Sequence, residues 1–84
     1  MLWIRVQEIG PALHPSEVIV GVTTAEGGQE NLVVDKRSIR NGAIGVGYPV
    51  GRENNRLLIE LPRETLRGHW RVWVSEALVQ ETAA

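Results

Sequence analysis

Cysteine is absent from the 84 residues, which removes disulfide frameworks, thiolate metal sites and cysteine nucleophiles together. No charge of one sign dominates either. Lys and Arg number 9 against 10 Asp and Glu, a formal net charge of -1, so no global field draws the chain to nucleic acid or to an anionic membrane. Long apolar runs are missing as well: the opening MLWIRVQE carries Arg5 and Glu8 where a signal peptide or anchor needs unbroken apolar chain. A cytoplasmic setting with no membrane association is the expectation that follows. No low-complexity tract and no convincing internal repeat is visible, so a non-repetitive chain is expected.

Motifs that carry catalysis are also wanting. No serine sits in a Gly-x-Ser-x-Gly elbow, and no glycine-rich loop ends in the lysine that cradles phosphates. The glycines of GAIGVGYPVG precede no helical pattern and so offer no helix N-terminus to a nucleotide; they read as relief of strand curvature. His14 and His69 lie in different segments, without metal-ligand spacing to Glu17 or Glu64, and read as solvated loop histidines. Glu60 and Glu64 flank Pro62 as a solvent-facing pair rather than an acid/base couple. The expectation is a protein that is not an enzyme, with no cofactor and no metal.

What is present is an ordinary globular composition, 43% hydrophobic and 23% charged. The length suits one domain over residues 1–80 followed by a frayed tail at 81–84. A domain of this size buries only about 60 to 65% of its unfolded surface, so its stability rests on a single core. Alternation over 1–9 sets Leu2, Ile4 and Val6 against Trp3, Arg5, Gln7 and Ile9 and predicts a first strand. Pro11 and Pro15 make the next residues a loop. VIVGVTT and NLVVD then read as strands joined by a hairpin at AEGGQE. Asp35 is placed to cap a single helical turn, and Asn41-Gly42 suits either the close of that turn, the favoured reading, or a type I′ hairpin turn. AIGVGYPVG predicts a bent edge strand, RENNR a turn, and LLIEL a strand that Pro62 ends.

The stretch GHWRVWVSEALV, 68–79, fits two templates. As a helix it places Leu66, Trp70, Trp73, Val74, Ala77 and Leu78 on one stripe. As a strand it turns Trp70, Val72 and Val74 inward and His69, Arg71 and Trp73 outward. Gly68 in the interior, the Val72–Val74 cluster and Ser75 weigh toward the strand, with Ser75 opening a short 3₁₀ turn before Leu78 and Val79 return to the sheet.

The segment RVWVSEALVQ resembles the close of Src-homology-3-like barrels, where a strand enters a 3₁₀ turn at Ser or Pro and continues into a short last strand. That resemblance implies an all-β, small, partly open barrel of five or six strands, Src-homology-3-like, whose first and last strands lie side by side, with the 3₁₀ turn near the C-terminus. The acidic, tyrosine-rich motif and the tryptophan pair of the family's peptide-binding members are absent, so no peptide groove is carried over.

Adjacent terminal strands with their apolar sides inward leave Trp3 and Trp73 outward and within reach of each other, with Tyr48, Arg5 and Arg71 nearby. Tryptophan, tyrosine and arginine are the residues enriched in binding hot spots. The expected function is therefore non-catalytic binding of a protein or peptide through Trp3, Tyr48, Arg71 and Trp73, with self-association as a homodimer a second use of the same surface. The bland reading of the same residues is a minor second core of Trp3 and Trp73 under the loop 10–17. The runner-up function is nucleic-acid binding through Arg63, Arg67 and Arg71 on a C-terminal helix. Lys36, Arg37 and Arg40 read as a solvated basic loop.

Overall fold

The computed structural model describes residues 1–82. Its strands are β1 (Leu2–Arg5), β2 (Gln7–Pro11), β3 (Glu17–Thr23), β4 (Gln29–Asp35), β5 (Ile39–Arg40), β6 (Ala43–Val46), β7 (Gly51–Glu53), β8 (Arg56–Glu60), β9 (Arg71–Ser75) and β10 (Val79–Glu81), with 3₁₀ turns at Lys36–Ser38 and Glu76–Leu78. The chain is all-β, and no α-helix occurs among the described residues. The strands form three antiparallel sheets, ordered β10-β1-β6-β5, β2-β3-β4 and β7-β8-β9. The strands are thus more and shorter than expected, and among the described residues no ladder closes them into one barrel.

Several expectations are met for the reasons given. The 68–79 stretch is extended where it matters: β9 pairs with β8, Leu57 opposite Val74 and Ile59 opposite Val72. Ser75 caps the second 3₁₀ turn by accepting from the Ala77 amide at 3.2 Å, and Asp35 caps the first by accepting from the Arg37 amide at 2.8 Å. Asn41 and Gly42 have φ of 52° and 74°. Positive φ at both positions is the type I′ hairpin geometry, and the pair joins β5 to β6 as a hairpin turn. The short turn capped by Asp35 is present, but it closes at Ile39, so Asn41-Gly42 is the hairpin turn and not the close favoured from the sequence.

Other expectations are corrected. The first strand is two: the chain breaks at Val6, whose amide donates to the Gly42 carbonyl at 2.9 Å, and β2 then runs through a bulge between Glu8 and Gly10 as far as Pro11. Trp70 does not point into the core. It is 55% exposed, because the chain bends there as residues 61–70 form a loop closed by the Leu61 amide on the Trp70 carbonyl at 2.8 Å. Alternation starts only at Arg71, and Leu61 is buried instead. The first two residues of the expected tail, 81–82, are paired with the start of the chain. Glu81 pairs with Leu2, and Thr82 donates its amide to the Met1 carbonyl at 3.1 Å; the rest of that expected tail, 83–84, lies outside the described residues.

The expectation of a non-repetitive chain is also corrected at the level of structure. Asp35 corresponds to Ser75, Lys36–Ser38 to Glu76–Leu78, and Ile39 to Val79, a constant shift of 40 residues. In both copies the residue after the turn donates its amide back to the first turn residue, Ile39 to Lys36 and Val79 to Glu76. The ladders follow the same shift and cross between the halves. Ile39 and Arg40 pair with Ile44 and Ala43 of β6, while Val79 and Gln80 pair with Ile4 and Trp3 of β1. The last strand of each half thus lies on the first strand of the other. Ile4 and Ile44 face one another at the centre of this exchange, and with Val20, Val22, Leu32, Ile59 and Val74 they form one buried core.

Candidate binding surface

The crossed ladders place β1 and β6 side by side in the central sheet, with Leu2, Ile4, Ile44 and Val46 buried beneath it. Side chains alternate across a strand, and residues opposite one another in an antiparallel pair share a face. The outer face therefore carries Trp3 and Arg5 from β1 against Gly45 and Ala43 from β6. Under the shift of 40 residues, Ala43 is the counterpart of Trp3, and Gly45 of Arg5. Two large residues on one central strand and two small ones on its counterpart leave a step in an otherwise repeated scaffold.

Trp3 lies across that step. Its indole N–H donates to the Thr82 hydroxyl at 3.0 Å, and the Arg40 guanidinium stands over the ring, 5.8 Å from its centroid. A Cβ on Gly45 would lie 3.8 Å from the indole and 2.9 Å from the Met1 methyl, so the missing side chain at 45 is what lets both lie low on the sheet. A shallow groove opens beside the ring between Arg40, Ala43, Gln80 and Thr82. Trp3 is held by a hydrogen bond and a cation–π contact and keeps part of its ring open to solvent, a pre-organised aromatic surface rather than a mobile one.

The four expected site residues do not form one surface. Trp73, in β9, stands opposite Leu58 and lies over Gly51, whose would-be Cβ is 3.5 Å from the indole. It belongs to a different sheet from Trp3. The C-terminal strand that lies beside β1 is β10, beyond the 3₁₀ turn, and not β9, and β10 carries Gln80 where the juxtaposition expected of Trp73 would fall. The minor core of two tryptophans under loop 10–17 is overturned by the same register. Tyr48 is 69% exposed on the irregular link between β6 and β7, where it borders a groove with Leu2, Leu57 and Val79. Arg71 shares a groove with Trp73, and its guanidinium pairs with Glu60 at 3.2 Å.

Charge pairing separates these places further. Arg37, Arg52, Arg56, Arg63, Arg67 and Arg71 each have a carboxylate partner: Asp35, Glu76, Glu26, Glu17, Glu30 and Glu60 respectively. The stripe of Arg63, Arg67 and Arg71 expected on a helix is dispersed over a loop and a strand, and all three are paired. The arginines without such a partner among the described residues are Arg5 and Arg40, both on the outer face with Trp3. No local signal announces this, since Arg40 reads as part of a loop cluster until its pairing with Ala43 is known.

One further polar cluster ties the 61–70 loop to β4. The Glu30 carboxylate is only 7% exposed as a residue and meets His69 Nδ1 at 3.2 Å and Arg67 at 3.8 Å. Burial pushes its pKa up, but hydrogen bonds from Thr65 and His69 and the charges of His69 and Arg67 outweigh that and hold it below the ordinary 4.5. Thr65 in turn accepts the His69 amide at 3.1 Å, and the Leu66 amide donates to the Asn31 carbonyl at 2.8 Å. These contacts fasten the loop. His14 sits instead in the 12–16 loop with its Nδ1 2.7 Å from the Ser16 hydroxyl, far along the chain from this cluster. Among the described residues no group of three His, Asp or Glu side chains is placed to hold a metal, and no helix is long and apolar enough to cross a membrane.

Comparison of the chain with known protein families, curated proteins and solved structures returns no match. The functional reading therefore rests on the chemistry of the Trp3 face.

Proposed function

We propose that the protein is a non-catalytic binding module that engages a protein or peptide through the outer face of β1, β6 and β5, with Trp3 as its anchor and Arg5 and Arg40 beside it. One observation carries this reading: Arg5 and Arg40, which lack a carboxylate partner among the described residues, flank a partly buried tryptophan fixed by Thr82 and Arg40. Tryptophan and arginine are the side chains that dominate binding hot spots, and a rigid ring loses little entropy on contact. Trp73, Tyr48 and Arg71 take no part in this version of the site.

The architecture we read as two interlocked halves of Src-homology-3-like character. Each half has a capped strand running into a 3₁₀ turn and a short last strand, and this supports the resemblance twice over.

The test is a selection of peptides from a random library on the full chain, followed by titration of the enriched sequences. Binding that weakens about tenfold or more in Trp3→Ala, with the thermal transition of the variant intact, is the expected result. Enriched peptides indifferent to Trp3, or dependent on Trp73 instead, overturn the proposal.

A further inference from the structure

We infer that the partner of the Trp3 face is an acidic protein segment, which sets a carboxylate between Arg5 and Arg40 and lays a neighbouring apolar side chain on the indole. This deepens the binding role proposed above and depends on it. The geometry comes from one row across three strands. Arg5 of β1 stands opposite Ala43 of β6, and Ala43 stands opposite Arg40 of β5. Strands in a sheet are about 4.8 Å apart, so the two arginine backbones lie about 10 Å from each other with a methyl group between them. The next outward row holds Trp3 and Gly45, about 7 Å along the strand. A segment crossing this face meets two guanidinium groups over a small residue and then an aromatic ring.

Charge complementarity decides the occupant. Arginine forks match carboxylates in geometry as well as sign. The face offers them no internal acid, whereas six arginines elsewhere are already paired. A nucleic-acid strand draws its affinity from many phosphates at once, and two unpaired arginines on a chain of net charge -1 make a small footprint for it. A second copy of this chain is a poor source of the acid, because six of its ten carboxylates, Glu17, Glu26, Glu30, Asp35, Glu60 and Glu76, are engaged by arginines of their own chain, and the other four, Glu8, Glu53, Glu64 and Glu81, stand singly on β2, β7, the 61–70 loop and β10.

The experiment takes a library-selected peptide and remakes it with its acidic positions as glutamate, glutamine or lysine, titrating each into the full chain with the indole resonance of Trp3 as the readout. Oligothymidylate is run in parallel, and sedimentation follows the free chain. The glutamate form is expected to bind about tenfold or more tighter than the glutamine form and to weaken as salt rises. Arg5→Gln and Arg40→Gln should each erode that preference while leaving the peptide still sensitive to Trp3→Ala. Equal binding of glutamate and glutamine forms, with dependence on Trp3 retained, overturns the acidic partner and leaves the binding role standing. Loss of Trp3-dependent binding by every peptide overturns both. Tighter binding of oligothymidylate through the same arginines, or self-association abolished by Trp3→Ala, also overturns the inference and assigns the face to nucleic acid or to a second copy.

Discussion

Ile44→Ala is expected to cost about 3 kcal/mol and to lower the melting temperature by about 15 °C. Ile44 is 1% exposed and sits where the two halves cross, opposite Ile4 of β1 on one side and Ile39 of β5 on the other. Truncation leaves a cavity that neither neighbouring strand can close without giving up its own ladder. A domain of this size has a total stability of about 4 to 12 kcal/mol, so the loss is a large share of the whole. Because each half lends its last strand to the other, the variant should still unfold in one transition by fluorescence and by circular dichroism. Two separated transitions would show that the halves are independent. Leu13→Ala, at a residue 106% exposed, is the control and should leave the transition unmoved.

The second large effect concerns Glu30. Its carboxyl is held below 4.5 in the folded chain, so the stabilisation it brings is complete above the unfolded value and is lost as pH falls through the folded one. Wild-type stability to urea should therefore hold from neutral pH down toward 4.5 and decline as pH falls below it, and the decline should be shallower in Glu30→Gln, whose amide does not titrate. At neutral pH that variant should be weaker by about 2 kcal/mol, since Thr65, His69 and Arg67 lose a charged acceptor in a buried place. Proteolysis within 61–70 should rise in parallel, because this cluster fastens that loop to β4. An unchanged pH profile in Glu30→Gln would remove Glu30 from that role.

Local chemistry was the part of this fold that the sequence made legible. Ser75 and Asp35 announce their capped turns, and Val72 and Val74 an extended segment with one buried side, because each of these depends on a few adjacent residues; Asn41-Gly42 leaves hairpin and turn close both open, since either uses its positive φ. Trp70 misled because alternation presumes an unbroken strand, and the bend at the mouth of the 61–70 loop stops it one residue short. Val6 misled in the same way, since its buried side chain continues a pattern that its backbone has already left.

The repeat was hidden for a different reason. Its two copies match in chemical class at only a few positions, Asp35 with Ser75 as caps, Ile4 with Ile44 and Ile39 with Val79, and differ at others such as Lys36 with Glu76, while the loops between differ in length, and Glu17 and Arg56, which stand opposite the two caps, have slipped to a shift of 39. The candidate surface was half visible. Trp3 and Arg5 read outward from β1 alone, but Arg40 and the small residues Ala43 and Gly45 join them only through the crossed pairing of the halves, which no local pattern encodes.

The most direct test of the account is the electrostatic surrounding of Trp3, isolated by replacing Trp70 and Trp73 with phenylalanine. Iodide is expected to quench the remaining fluorescence more efficiently than caesium at equal ionic strength, and Arg5→Gln with Arg40→Gln should bring the two quenchers level. A Trp3 that neither ion reaches, or one that caesium quenches better, would contradict an open cationic aromatic face.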